Sequence, residues 1–134
     1  MYIVPPAEYR ALLACEADKR YLYFLNKTSD WGEVWGLTND GGWALVGSED
    51  EGELVLFWPA KAFAAACCAE TWLAYRPQSI LITDFVQKWL PGMIRDGRKA
   101  AVFPLPDGHG IAIPPEKLLT DLTRALNNIA EPDD

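Results

Sequence analysis

Apolar residues recur at helical spacing at both ends of the chain. Tyr9, Leu13, Ala17, Tyr21 and Phe24, with Leu12 and Leu25 beside them, stripe one face of a segment that follows Pro5-Pro6, and proline is tolerated at a helix start. Glu16, Asp18, Lys19, Arg20 and Lys27 fall around the other faces. The pattern fits one helix ending within Asn26–Asp30 or two shorter helices with a break near Ala14. At the far end, Pro114-Pro115 opens a helix whose Leu118, Leu119, Leu122, Leu126 and Ile129 form an apolar stripe.

Between these ends the period shortens to that of strands. Glu33–Val46 reads as a hairpin carrying two tryptophans. A three-residue turn at Asn39-Asp40-Gly41 sets Leu37 against Trp43 and Trp35 against Leu45, gathering these four bulky side chains on one face. Val34, Gly36, Ala44 and Val46 then occupy the other face. A two- or four-residue loop would shift the register by one and put the tryptophans on opposite faces. Segregation of the bulky residues favours the three-residue turn and a core role for Trp35 and Trp43. Leu54–Trp58 is apolar at every position, which predicts a central strand covered on both sides.

Pro59 is expected as the first residue of the next helix, with Phe63 and Cys67 toward the sheet. Ser79–Ile82 reads as a short strand or an extended lead-in, and Thr83 as the N-cap of a following helix. That helix carries Phe85, Trp89, Leu90, Met93 and Ile94 on one face, kinks or restarts at Pro91-Gly92, and closes at Gly97. Ala100–Phe103 and Gly110–Ile113 form a second hairpin around Pro106-Asp107-Gly108, and its prolines place part of it at a sheet edge. The element order α-βββ-α-α-ββ-α, with strands joined by tight turns, predicts an α+β fold. One antiparallel sheet of about five strands is expected, flanked by helices.

Length agrees with this outline. A chain of 134 residues suits one domain, spanning 1–134, that buries roughly 68–70% of its unfolded surface. Six tryptophans, five tyrosines and five phenylalanines supply a core without disulfides. Disorder is expected only at the ends, as in the acidic tail 131–134. Cys15, Cys67 and Cys68 cannot all pair within one chain, and neighbours on a helix point about 100° apart. Reduced thiols in a cytosol follow. With one histidine and no second cysteine pair, a structural zinc site lacks ligands, and neither metal nor cofactor is expected. The start, Met-Tyr-Ile-Val-Pro-Pro, has no cationic or long apolar leader, and no apolar run approaches the roughly 18 residues of a membrane span.

Several motifs in order resemble a known family. They are Tyr21-Leu22-Tyr23-Phe24-Leu25, Glu33-Val34-Trp35-Gly36-Leu37, Gly42-Trp43-Ala44-Leu45 and Trp58-Pro59-Ala60-Lys61. Trp89-Leu90-Pro91-Gly92, Phe103-Pro104 and the closing Pro-Pro-Glu-Lys-Leu-Leu helix follow. The set is similar to the domain of unknown function 2750 family, over about Arg20 to Leu126. The resemblance implies a compact, single-domain bacterial cytoplasmic protein, favours a structural role for the tryptophan hairpin, and assigns no catalytic residue.

Net charge separates the function classes. At −7 the chain repels polyanions on average, and nucleic-acid affinity comes mainly from Lys and Arg displacing counterions. The basic group Arg95, Arg98 and Lys99 encloses Asp96 and reads as a solvated helix end. His109, between Gly108 and Gly110 beside Asp107, is the weak catalytic candidate, with an exposed hairpin tip as the plainer reading. Cys67 and Cys68, among alanines, read as inert packing thiols. Neither a dinucleotide fingerprint nor a Walker motif is present, and the acidic run lacks EF-hand spacing. The leading expectation is a non-catalytic cytoplasmic protein of immunity-like or adaptor type. Its Glu49, Asp50, Glu51 and Glu53 would meet a basic protein partner. A small-ligand binder using a sheet–helix cleft is the alternative, and an enzyme built on His109 is the third reading.

Overall fold

A computed structural model describes residues 3–69, 72–106 and 110–130. The chain is α+β, with largely antiparallel sheets flanked by helices. Its N-terminal helical stretch is two helices, α1 (Pro6–Ala14) and α2 (Ala17–Trp31), broken at the extended pair Cys15 and Glu16. The Tyr23 hydroxyl donates to Glu8 Oε2 at 2.6 Å, tying α1 to α2 across the break.

Seven strands among the described residues form two sheets. The first has the order β2 (Gly42–Trp43), β1 (Glu33–Asn39), β5 (Arg76–Leu81). The second runs β3 (Leu45–Ser48), β4 (Gly52–Phe57), β6 (Lys99–Val102), β7 (Ile111–Ile113). β4 is central, as its unbroken apolar run implied. Its pairing with β6 is parallel, and every other pairing is antiparallel. The sheets meet where Trp35 and Trp58 exchange two backbone hydrogen bonds of 2.8 and 2.7 Å.

The first hairpin departs from the expected register. Asn39 pairs with Gly42 and Thr38 with Trp43, so the loop has two residues, Asp40 and Gly41. The Asn39 side chain accepts from the Gly41 N–H at 2.8 Å, and Gly42 takes φ 126, a backbone conformation that a Cβ would strain. The tryptophans therefore lie on opposite faces. Gathering bulky residues on one face assumes a ribbon with one wet side, but β1 is covered on both: Val34 and Leu37 are each fully buried. Beyond Ala44 the chain leaves β1 for β4, so Leu45 pairs with Val55 rather than Trp35.

The helices follow suit. α3 (Lys61–Ala66) starts two residues after Pro59, and α4 (Ile82–Asp84) is capped by Leu81 with Thr83 inside it. α4 continues through a π-helical turn, Phe85–Trp89, into α5 (Leu90–Asp96), which closes at left-handed Gly97. Pro91 explains the widened turn, since it has no N–H for a normal i→i−4 bond. α6 (Pro115–Ala130) is the last element among the described residues, with Leu118 and Leu122 fully buried; the Ile129 side chain and the tail 131–134 lie outside them.

Two cores result. Phe57, Leu90, Met93, Leu118 and Leu122 pack between the second sheet and its helices, with Phe57 edge-on to Phe85 at 4.8 Å. Tyr9, Tyr23, Phe63 and Phe103 form an aromatic cluster joining α1, α2 and α3, Phe63 lying 4.6 Å from Phe103 and parallel to Tyr9 at 5.3 Å.

Candidate functional site

The alternation of β3, β4 and β6 sends two sets of side chains to opposite sides of the second sheet. Leu45, Val55, Phe57 and Val102 face the helices. Val46 opposite Leu54, and Leu56 opposite Ala101, face the other way. Among the described residues, the end of α3, Ala69 and Trp72 beyond it, and the segment after β6 lie over this second face. Small residues there, Ala66, Ala69 and Ala101, leave a hollow of about 480 Å³, lined also by Trp58, Trp72 and Leu105. Its size lies within the range of small-molecule sites.

The wall chemistry is sparse. Trp58 is fully buried, and its indole N–H donates to the Pro104 carbonyl at 2.8 Å. The Cys67 thiol donates to the same oxygen at 3.5 Å. Burial first, and the neighbouring Cys68 second, push the Cys67 thiol up to about 11, so it is neutral at physiological pH. Burial also raises the Cys68 thiol. Among the described residues no neighbouring cation, the setting that activates a thiolate, lowers either thiol. No carboxylate, ammonium or guanidinium lines the hollow among the described residues.

Trp35 and Trp43 divide the roles that the sequence assigned to both. Trp35 is buried in the core. Trp43 is half-buried, meets Trp89 edge-on at 4.8 Å, and borders a more open cleft of about 450 Å³ between β3 and α5. It reaches there by lying over Gly36, where an added Cβ would stand 3.0 Å from its ring.

The acidic run Glu49–Glu53 sits at the β3–β4 turn. Parallel pairing of Leu54 with Lys99 brings it beside the basic group that follows α5. Lys99 Nζ lies 2.7 Å from Glu51 Oε2, and Arg98 Nε lies 3.3 Å from Glu53 Oε1. Asp96 is 3.8 Å from Arg95 and 3.9 Å from Arg98. Glu51 and Glu53 thus meet cations of their own chain, while Glu49 and Asp50 stand exposed at the tip. His109, Asp107 and Gly108 lie outside the described residues.

A polar cluster that sequence reading missed joins α2 to α6. The Tyr21 hydroxyl donates to Asp121 Oδ2 at 2.6 Å, and Lys117 Nζ donates to the same oxygen at 2.8 Å. Lys117 also sits 5.4 Å above the Tyr21 ring. Burial, then the hydrogen bond and charge of Asp121, raise the Tyr21 phenol well above its usual range. Burial alone would raise Asp121; bonds from Lys117 and Tyr21, with the charges of Lys117 and Arg124, hold it below its usual range. A phenol held neutral is no nucleophile, so the cluster clamps two helices. Its only sequence signal was the i,i+4 pair Lys117–Asp121.

Among the described residues no group of three or more His, Cys, Asp or Glu could hold a metal ion, and no helix is long and apolar enough to cross a membrane. No curated protein matches the chain. A family model described as "Protein of unknown function (DUF2750)" matches residues 21–122, the span that carries both sheets, the wall of the hollow and the Tyr21–Asp121 clamp. The chain belongs to the DUF2750 family.

Proposed function

We propose that this chain is a non-catalytic binding protein that takes a small, uncharged, largely apolar molecule into the hollow beside Trp58. One observation carries the reading. Among the described residues no charged side chain lines the cavity, and the indole N–H of Trp58 and the thiol of Cys67 are both already donated to Pro104. A charged ligand would lose its hydration there without a counter-charge, whereas apolar surface gains roughly 25 cal/mol for each Å² removed from water. Three free cysteines support a reducing, cytoplasmic setting, and the family resemblance supports a bacterial one.

The test is a thermal-shift screen with aryl hydrocarbons and medium-chain alcohols, repeated with brominated analogues that quench indole fluorescence. A ligand at about a hundred times its Kd stabilises the native state by about 2.7 kcal/mol. The expected result is a raised Tm and quenching in the wild type, both lost in Ala66→Phe, which fills the hollow. Probes that shift the filled variant as much as the wild type refute the reading.

A second reading rests on the exposed tip of the β3–β4 turn. Glu49 and Asp50 project beyond the ion pairs of Glu51 and Glu53 in a chain of charge −7, and would steer a basic protein partner. Charge reversal at both positions should weaken capture of that partner and flatten its salt dependence. Unchanged capture removes the turn from the reading.

A further inference from the structure

β5 ends the first sheet, and its outer edge has no strand partner among the described residues. Which groups point outward follows from the bonds on the inner side. Trp35 gives both its backbone groups to Trp58, and the Leu37 carbonyl accepts from Ala44. Neither residue therefore bonds across to its β5 neighbour, Ser79 or Pro77. Ile82 donates to Gly32 in the same phase. In an antiparallel ladder the outward groups alternate with the inward ones. The free edge accordingly presents the Pro77 carbonyl, both backbone groups of Ser79, and the Leu81 N–H.

Two groups are missing from that edge. Pro77 has no N–H. Leu81 caps α4, and the carbonyl of a capping residue accepts the helix's first hydrogen bond. An unrelated antiparallel strand laid on this edge would place a carbonyl opposite Pro77 and find no donor there. A second copy of this chain, related by a two-fold axis through Ser79, places Leu81 opposite Pro77, so the absent donor faces the carbonyl already in use.

We propose that β5 pairs with β5 of a second copy, centred on Ser79, to join the two three-stranded sheets. Four hydrogen bonds form: Ser79 to Ser79 in both directions, and each Leu81 N–H to the opposing Pro77 carbonyl. The Ser79 carbonyl is held meanwhile by the Gln78 side-chain amide of its own chain at a long 3.3 Å, a contact that the incoming N–H replaces. Leu81, whose side chain is 63% exposed in the single chain, packs against Pro77 of the other copy. Pro77 and the short ladder also exclude most foreign strands, a usual guard at sheet edges. This inference goes beyond the proposed ligand site and does not depend on it.

A short ladder with one apolar contact per side falls at the small end of interface sizes, so association depends on concentration. Sedimentation velocity on the full chain from roughly 5 µM to 1 mM should show mass rising from 14.9 kDa toward twice that value. Hydrogen exchange should slow at the Ser79 and Leu81 amides only at the high end. Ser79→Pro removes the two central donors without touching a β1 bond, and Leu81→Lys removes the apolar contact from an exposed position. Each should weaken dimerisation at least about tenfold while the circular dichroism spectrum stays native. A wild type that remains at monomer mass up to the highest concentration overturns the proposal. So does a dimer that Leu81→Lys leaves intact with Ser79 and Leu81 unprotected.

Discussion

Replacing Tyr21 by phenylalanine isolates the hydroxyl that joins α2 to α6. The ring stays: Tyr21 is 7% exposed and packs identically without its oxygen. What disappears is a 2.6 Å bond to an ionised carboxylate, a class of bond that contributes about 1.5–3 kcal/mol. Asp121 is not orphaned, because Lys117 still donates to it at 2.8 Å and 15% of its side chain meets water. The loss should therefore fall in the lower half, about 1.5–2 kcal/mol, or about 5–8 °C in Tm for a chain of this length. Urea unfolding followed by tryptophan fluorescence measures it, and a cycle with Asp121→Asn isolates the pair. The pH dependence has a definite sign. Folding raises the Tyr21 phenol, so its contribution is complete below the unfolded value near ~10 and declines as pH rises above it. Folding lowers Asp121, so its contribution is complete above ~4 and declines as pH falls below that. Tyr21→Phe should flatten the alkaline decline and part of the acid one. A loss under about 0.5 kcal/mol, the scale of an ordinary surface change, with no coupling to Asp121 would refute the clamp.

Further tests address packing and thiol chemistry. Gly36→Ala puts a Cβ 3.0 Å from the Trp43 ring and 3.6 Å from the Leu56 carbonyl. It should destabilise by about 1–3 kcal/mol and red-shift Trp43 emission as the ring is lifted; an unchanged midpoint and spectrum would contradict the close approach. Cys67, with its thiol pushed up to about 11, should resist iodoacetamide at pH 8 in the native state and react on unfolding. Mass spectrometry of alkylated peptides reads this, and native labelling as fast as that of an exposed cysteine would contradict its burial. Glu51→Gln breaks a pair of partly exposed groups and should cost at most about 1 kcal/mol, less in high salt; a larger, salt-independent loss in chemical denaturation would mean that the pair is structural.

Local pattern carried a good deal of this fold. The α6 stripe, the central run Leu54–Trp58 and the stop at Gly97 all rest on chemistry contained within a few residues: periodicity and capping. The break between α1 and α2 and the disturbance at Pro91 were visible for the same reason. Side-chain pattern failed where a choice depended on what lay across the chain. Asn39-Asp40-Gly41-Gly42 suits either loop length, and the register turned on whether β1 has one buried face or two. It has two, because α3 covers one side and Trp43 with Trp89 the other, so Trp43 went to a cleft while Trp35 went to the core. The parallel pairing of β4 with β6, which sets Glu51 and Glu53 against Lys99 and Arg98, joins segments some 45 residues apart, and no local signal encodes it. The hollow arises likewise, from alanines at the end of α3 and on β6, distant in the chain, that happen to face one another. Tertiary structure alone decided these features, because each is an energy of contact between groups whose distance the linear order of residues does not state.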